Sequence, residues 1–267
     1  MKIAIAGAAG RMGRTLTRIA SETSGIEIAG GLESSGSPQV GSDLGEIAGI
    51  GKLGVKVSND PEWLLAHVDG IIDFTVPAAT VTLSEIAARR RLVHVIGTTG
   101  LSETDEGKIR DAAQQARIVK SGNMSVGVNL LAALVEKIAR TLPSNFDIEI
   151  VEMHHRHKVD APSGTALLLG EAAAAGRNIE LKEKAIRGRD GQTGPRPPGH
   201  IGFGSLRGGS VVGEHSVIFA GPSERIELVH RAESRDIFAH GAMRAALWAK
   251  DKQAGLYTIA DVMELGD

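Results

Sequence analysis

The sequence predicts an α/β protein of two domains: a parallel-sheet domain at the N-terminus and an α+β domain with a mixed or antiparallel sheet. With 267 residues, 42% of them hydrophobic, the chain can bury two cores. Strand patterns alternate with helix patterns up to about residue 125, the order of a parallel sheet. After Pro143, strand patterns follow one another without helices. We therefore expect residues 1–125 and 235–267 to form the first domain and residues 126–234 the second.

The composition indicates a small-molecule partner. The formal net charge is -2, and lysine and arginine are scattered, so we expect no broad basic surface of the kind that binds nucleic acid or anionic membranes. The chain has no cysteine, which excludes disulfides and thiolate chemistry. Its first residues enter a strand at once, and no apolar run reaches about 18 residues. We expect a cytoplasmic protein that binds neither nucleic acid nor membrane.

The first strand pattern, residues 2–6, runs into Gly7-Ala8-Ala9-Gly10-Arg11-Met12-Gly13, and a helix pattern follows. The spacing G-x-x-G-x-x-G is a variant of the dinucleotide-binding motif, whose glycines let backbone N–H groups approach a pyrophosphate at the helix N-terminus. Glu33 ends the next strand, twenty residues after Gly13, where a carboxylate can accept hydrogen bonds from ribose hydroxyls. The alternatives are a tight turn without a ligand and a solvated charge at a strand end.

Further strand patterns of this domain end in small polar residues, at Thr75, at Gly97-Thr98-Thr99 and at Ser121-Gly122-Asn123-Met124. In an open parallel sheet, ligands bind beyond the carboxyl ends of the strands. These residues are thus placed to line a cofactor cleft in a Rossmann-like domain, with a plain turn as the alternative interpretation. Residues 34–56 are rich in glycine and serine, and we expect a mobile surface loop or a short edge element there.

The second domain begins with a strand in which Phe146, Ile148 and Ile150 alternate with acidic residues, the pattern of a strand with one covered face. A sheet with few helices leaves its other face uncovered, and we expect that face to pair with another subunit. A last helix pattern, residues 236–250, is expected to return to the first domain.

The segment Glu152–Thr165 concentrates three histidines, an arginine, a lysine and an aspartate. Four interpretations compete: a solvated polar strand end, a metal site, a phosphate site, and a site for an anionic substrate with a proton donor. Adjacent histidines on an extended chain point to opposite faces and neighbouring cations repel a metal, which disfavours the second. In an extended segment His154, Arg156 and Lys158 would share one face, which favours the fourth.

A helix start follows this cluster. Ser163 is the predicted N-cap, because a hydroxyl there accepts a hydrogen bond from the first turn. The N–H groups of Gly164 and Thr165 are then predicted to bind a carboxylate. A cationic cluster facing a helix N-terminus could hold two carboxylates and still offer a proton.

The run E-M-H-H-R-H-K-V-D-A-P-S-G-T-A, with G-A-A-G-R-M-G, D-F-T, V-I-G-T-T-G and G-E-H, resembles the 4-hydroxy-tetrahydrodipicolinate (dihydrodipicolinate) reductase family over essentially the whole chain. The resemblance implies a homotetramer that uses NADH or NADPH and acts on a small cyclic dicarboxylate. By matching position, His154 resembles the family's proton donor or acceptor and Lys158 its proton donor, while His155, Gly164 and Thr165 match residues that hold the substrate. The implied cofactor contacts are Gly7, Ala8, Ala9, Gly10, Arg11, Met12, Glu33, Gly97, Thr98, Thr99, Ser121, Gly122, Asn123 and Met124.

The implied reaction is reduction of 4-hydroxy-tetrahydrodipicolinate to tetrahydrodipicolinate in lysine biosynthesis. Hydride goes to the unsaturated ring, the 4-hydroxyl leaves as water, and the proton donors are His154 and Lys158. The resemblance gives no firm role to Arg156, His157 and Asp160. A redox-sensing NAD(H)-binding regulator and an oxidoreductase for another substrate are the rival hypotheses.

Two departures from the family bear on the cofactor. Some members have an arginine directly after the ribose-binding acid and another after D-F-T, whereas this chain has Ser34 and Val76 there. Both replacements remove a cation that could bind the 2'-phosphate of NADPH. We expect NADH to be used at least as well as NADPH, with Arg11 the remaining candidate for a phosphate contact.

Overall fold

The structure, a computed structural model, describes residues 1–265 of the chain. It divides into two compact units, one formed by Met1–Val126 together with the chain from Asp236 onward, the other by Gly127–Arg235. The range 235–267 expected for the first domain includes Gly266 and Asp267, which lie outside the described residues.

The described residues form twelve strands and ten helices. The strands are β1 Lys2–Ala6, β2 Glu27–Leu32, β3 Val57–Ser58, β4 Gly70–Asp73, β5 Val93–Ile96, β6 Arg117–Lys120, β7 Asp147–His154, β8 Ala185–Ile186, β9 Ile201–Arg207, β10 Gly213–Ala220, β11 Arg225–Ala232 and β12 Gly255–Tyr257. The helices are α1 Arg11–Glu22, α2 Leu44–Ala48, α3 Pro61–Leu65, α4 Pro77–Arg90, α5 Glu103–Ala112, α6 Val126–Thr141, α7 Gly164–Arg177, α8 Leu181–Lys184, α9 Asp236–Ala249 and α10 Ile259–Val262. No helix among them is long and apolar enough to cross a membrane.

The first unit contains a seven-stranded parallel sheet in the order β12-β6-β5-β4-β1-β2-β3. Side chains of β1 alternate between its two faces: Ile3 and Ile5 pack with α1 and α9, whereas Ala4 and Ala6 pack with α4 and α5. Each fully buried isoleucine contributes about 1.5–3 kcal/mol to folding. The chain order reverses at β1, so the β1–α1 turn lies where open parallel sheets bind ligands.

The C-terminal helix α9 belongs to this unit. It packs against the same face of the sheet as α1, and Arg18 of α1 pairs with Asp236 at the start of α9, with 2.5 Å between Nη2 and Oδ1. A Cβ on Gly241 would lie only 1.8 Å from the carbonyl oxygen of Met124. The absence of a side chain at Gly241 therefore lets α9 pack closely against the chain that follows β6.

Residues 34–56 contain more regular secondary structure than expected. They contain α2, whose N-cap Asp43 accepts hydrogen bonds from Gly45 and Glu46 in the helix and from Leu53 and Gly54 beyond it. The expectation of a loop or edge element was therefore incomplete. The glycine- and serine-rich composition gave no signal for this five-residue helix, which is stabilised by the capping carboxylate of Asp43.

The second unit contains a five-stranded mixed sheet in the order β11-β10-β7-β9-β8. β10 runs antiparallel to β7 and β11, whereas β9 runs parallel to β7 and β8. Burial alternates along β7, and Ile148 and Ile150 pack in a core with α6 and α7. The predicted fold class, a parallel α/β sheet followed by an α+β unit with a mixed sheet, is confirmed.

Candidate active site

The β1–α1 turn presents bare backbone at the start of a helix. Gly7 adopts a φ of +66°, a conformation that L side chains rarely adopt, and its carbonyl accepts a hydrogen bond of 3.0 Å from the N–H of Gly10. A Cβ on Gly13 would lie 2.2 Å from the carbonyl oxygen of Gly7, so this glycine lets α1 pack against the turn. Such a turn fits the pyrophosphate of a dinucleotide, which needs backbone N–H groups and no intruding side chain.

Glu33 directly follows β2, and its Oε1 accepts a hydrogen bond of 2.8 Å from the N–H of Ala9. The carboxylate thus joins the end of β2 to the glycine turn. A charge that was merely solvated would make no such contact, so the structure disfavours that interpretation of Glu33.

A cleft of about 810 Å³ opens beside this turn. Four of the predicted cofactor residues, Gly7, Ala9, Gly10 and Glu33, line it. Among its described lining residues, Glu33 alone carries an ionisable side chain. Sequence reasoning assigned no cofactor contact to several other lining residues: Ser34 and Ser35 after β2, Asn59 after β3, Pro61 at the start of α3, and Ala79 and Thr82 in α4.

The remaining predicted cofactor residues do not line this cleft. Ala8, Arg11 and Met12 belong to the glycine turn and the first turn of α1. Two further groups follow β5 and β6, at the same end of the sheet: Gly97, Thr98 and Thr99, then Ser121, Gly122, Asn123 and Met124.

A buried polar network supports the edge of the cleft. Asp73, at the end of β4, accepts hydrogen bonds from the N–H and the hydroxyl of Thr75, at 3.0 and 2.6 Å. Its other oxygen lies 3.1 Å from Nε2 of His94, and both side chains are fully buried. Thr98 accepts a further hydrogen bond of 3.0 Å from the N–H of Thr75. Burial alone raises the pKa of Asp73, but bonds from His94, Thr75 and Thr80 outweigh it and lower that pKa.

In the second unit, the chain turns immediately after His154. The N–H of Lys158 donates a hydrogen bond of 3.1 Å to the carbonyl of His155, so residues 155–158 form a turn instead of continuing β7. The prediction that His154, Arg156 and Lys158 share one face of an extended segment is therefore wrong. Nζ of Lys158 lies 2.9 Å from Oδ1 of Asp160.

Glu152 is the buried carboxylate of this site. It accepts from Nδ1 of His154 at 2.6 Å, from both terminal nitrogens of Arg207 at 2.8 and 2.9 Å, and from the N–H of Ser163 at 3.2 Å. Burial raises the pKa of Glu152, but hydrogen bonds from Arg207, then His154, then Ser205 outweigh it and hold the pKa at about 2. The carboxylate is ionised at neutral pH.

The start of α7 lies next to this carboxylate. Ser163 caps the helix, as predicted, by accepting from the N–H of Ala166 at 3.1 Å. Its hydroxyl also lies 2.9 Å from Nε2 of His215, a buried residue whose ring stands edge-on to His154 at 5.1 Å. Gly164 is the first residue of α7, and the Ala161–Pro162 peptide bond before the cap is cis.

Burial also sets the titration of the neighbouring imidazoles. It lowers the pKa of His215 to about 4, helped by the charge of His154. Burial and the nearby Arg235 lower the pKa of His155, which is half-buried. These two imidazoles are therefore biased toward the neutral form.

Sequence reasoning assigned no role to Glu152, Arg207, Gly213 or His215. Glu152 lies two residues before His154, so both point to the same face of β7, a signal that period-two alternation could have provided. Arg207 is 55 residues away, and only the pairing of β7 with β9 brings it beside Glu152. Gly213 packs so closely that a Cβ would lie 3.0 Å from Nε2 of His154.

Comparison with known proteins identifies the family. Residues 1–124 match the family described as "Dihydrodipicolinate reductase, N-terminus", and residues 127–263 match its C-terminal counterpart. The 4-hydroxy-tetrahydrodipicolinate reductase of Methylocella silvestris is 61% identical over 267 residues, covering 100% of this chain and 98% of the relative. That of Rhizobium rhizogenes is 57% identical over 266 residues, covering 99% and 97%.

Solved structures share the fold. A dipicolinate-bound dihydrodipicolinate reductase from Paenisporosarcina sp. TG-14 superposes with a TM-score of 0.77 at 21% identity, covering 97% of each chain. An amine dehydrogenase from Mycobacterium smegmatis gives 0.61 at 14% identity, covering 97% of this chain and 95% of its own. The family resemblance of the sequence motifs is confirmed. The chain belongs to the dihydrodipicolinate reductase family.

Proposed function

We propose that this chain reduces 4-hydroxy-tetrahydrodipicolinate to tetrahydrodipicolinate, with loss of water, in the diaminopimelate route to lysine. The names of relatives that are 61% identical over the full length support this substrate. The observation that carries the proposal is that Glu152 bonds both His154 and the N–H of Ser163 at the start of α7. A proton-transfer group and a helix N-terminus able to bind carboxylates therefore lie side by side.

The first unit would hold a nicotinamide cofactor, which supplies the hydride when bound. Its bare glycine turn fits a pyrophosphate, and Glu33 would accept hydrogen bonds from a ribose. The residues proposed to contact the cofactor are Gly7, Ala8, Ala9, Gly10, Arg11, Met12, Glu33, Gly97, Thr98, Thr99, Ser121, Gly122, Asn123 and Met124.

The proposed preference is for NADH, used at least as well as NADPH. Glu33 is the single ionisable group among the described lining residues of the cleft, and Ser34 and Val76, also in its lining, bring no cation. A 2'-phosphate carries a charge of about -1.5 to -2, so it would lie near a carboxylate with no lysine or arginine among the described lining residues to compensate, which leaves Arg11, outside that lining, as the remaining candidate for a phosphate contact. Measured values of kcat/KM for the two cofactors test this preference, and a strong preference for NADPH would contradict it.

On the substrate side, His154 exchanges a proton and Lys158 donates one. Lys158 is largely shielded, with 20% of its side chain exposed, and its ammonium pairs with the more exposed Asp160. His155 and the backbone N–H groups of Gly164 and Thr165 hold the substrate carboxylates. Protonation of the departing 4-hydroxyl lets it leave as water.

A substrate panel tests the reaction. We expect turnover of enzymatically generated 4-hydroxy-tetrahydrodipicolinate with NADH, and none of ordinary hydroxy acids, sugars or amino acids. Turnover of one of these other substrates instead would favour a different oxidoreductase. NADH binding without turnover of any of them would favour a redox-sensing regulator.

We also propose that the chain forms a homotetramer through the sheet face of the second unit. Leu206 and Val229 are exposed apolar side chains on this sheet, 53% and 41% accessible. Burying them against a second copy would remove apolar surface from water. Sedimentation analysis tests the assembly, with a monomer as the contradicting result. The cytoplasmic location stays a prediction for cell fractionation.

A further inference from the structure

We propose that Glu152, clamped by Arg207, is a positioning residue that fixes the tautomer and orientation of His154 and ties the turn and the start of α7 to it. This inference rests on the proposed function, because it assumes that His154 exchanges a proton with the substrate. Glu152 itself is 1% exposed and makes its contacts within the protein.

The tautomer follows from donor and acceptor chemistry. An ionised carboxylate can only accept hydrogen bonds, so Nδ1 of His154, 2.6 Å from Oε2 of Glu152, must carry a hydrogen. In the neutral ring, Nε2 is then the nitrogen without a hydrogen, so it can take up a proton and, once protonated, give that proton up. Nε2 also faces Gly213, where the absence of a side chain keeps space beside it.

Arg207 keeps the carboxylate in place. Each oxygen of Glu152 accepts from one terminal nitrogen of Arg207, at 2.8 Å for Oε2 and 2.9 Å for Oε1. Oε2 also accepts from His154, and Oε1 from the N–H of Ser163. Each oxygen thus accepts hydrogen bonds from two of these donors. This arrangement fixes the plane of the carboxylate and hence the direction of its hydrogen bond to the imidazole of His154.

The clamp extends to the turn that carries Lys158. Nη2 of Arg207 donates a second hydrogen bond, of 2.6 Å, to the carbonyl of Asp160, whose carboxylate lies 2.9 Å from Nζ of Lys158. The N–H of Ser163 that bonds Glu152 belongs to the N-cap of α7. One carboxylate–guanidinium pair therefore contacts the strand end, the chain just after the turn at Asp160, and the helix start.

The variant Glu152→Gln tests this role without changing shape. An amide offers one acceptor oxygen and one NH2 donor, so one pair of donors loses its acceptor. We expect kcat to fall about 100-fold, the order of a general acid–base contribution, while KM rises far less. The dissociation constant for NADH should stay within about twofold, since the cofactor residues belong to the other unit.

Glu149→Gln is the matched control. Glu149 lies on the same strand and also accepts hydrogen bonds from both terminal nitrogens of an arginine, Arg189, at 2.8 and 3.0 Å. It contacts none of the proposed site residues. Its kcat should stay within about twofold of wild type. Equal kcat values for Glu152→Gln and wild type would overturn the inference. A wild type inactive on 4-hydroxy-tetrahydrodipicolinate would instead overturn the proposed function.

Nitrogen-15 NMR of the histidine rings tests the tautomer in the wild type, so the inference does not depend on a variant that folds. The His154 signals, assigned by their loss in His154→Gln, should report a hydrogen on Nδ1 in the neutral ring. A neutral ring with its hydrogen on Nε2 would contradict the proposal. In Arg207→Ala, added ethylguanidinium should restore part of the lost kcat, and a complete lack of rescue would argue against the clamp.

Discussion

Replacing Gly213 by alanine displaces His154 without altering any chemical group of the site. A Cβ at this position would lie 3.0 Å from Nε2 and 3.3 Å from Cδ2 of His154. Non-bonded heavy atoms prefer about 3.5 Å or more, so the ring must move by about 0.5 Å. Its Nδ1 bond to Glu152 is already 2.6 Å long, so the ring cannot retreat toward the carboxylate and must rotate or tilt.

The expected loss of rate follows from that displacement. A misplacement of 1 Å can cost about 100-fold in rate, so a shift of half that size should lower kcat about 10-fold. Overpacking should also cost about 1 kcal/mol, which lowers Tm by roughly 2–4 °C in a protein of this size. Steady-state kinetics with 4-hydroxy-tetrahydrodipicolinate and thermal unfolding measure the two effects.

Gly204→Ala provides the control for this prediction. A Cβ there would meet Cγ2 of Val151 at 3.8 Å, an ordinary contact in the same sheet. Its kcat should match wild type. If Gly213→Ala kept wild-type kcat, Nε2 of His154 would not be the atom that exchanges the proton, and our assignment of its role would be refuted.

Three further predictions concern the cofactor, the fold and pH. Ser34→Arg should raise kcat/KM for NADPH relative to NADH about 10-fold, because a guanidinium can bind the 2'-phosphate; an unchanged ratio would place that phosphate elsewhere. Gly241→Ala should cost about 3 kcal/mol in urea unfolding, since its Cβ would overlap the carbonyl of Met124, whereas Gly107→Ala has its nearest contact at 3.9 Å and should be neutral or stabilising. Because burial, then the charge of His154, lower the pKa of His215 from 6.5 to about 4, its stabilising contribution is complete above pH 6.5 and lost as the pH falls through 4. The loss amounts to about 3 kcal/mol in the free energy of unfolding. Urea unfolding across this pH range should show the decrease in wild type and not in His215→Gln.

The elements whose signal is local in sequence could be predicted. The alternation in β7, the glycine turn before α1 and the Ser163 cap each depend on a few neighbouring residues, and the structure contains all three. α2 escaped prediction, because its short length and glycine-rich surroundings leave almost no periodic pattern.

The arrangement of the candidate site depended on longer-range pairing. The turn after His154 breaks the extended segment that periodicity alone suggested, so Lys158 does not follow the face of β7. Arg207 reaches Glu152 through the parallel register of β7 and β9, and Gly213 reaches His154 through the approach of β10. These contacts are set by strand order in space, which the sequence of any one segment does not contain.

The most direct test of the account is the turnover of 4-hydroxy-tetrahydrodipicolinate by wild type and by His154→Gln, measured together with the dissociation constant for NADH. We predict that wild type oxidises NADH in the presence of this substrate and that the variant loses about 100-fold or more in kcat while it binds NADH as tightly. Near-full turnover by His154→Gln would contradict the proton-transfer role that we give to His154 at the end of β7.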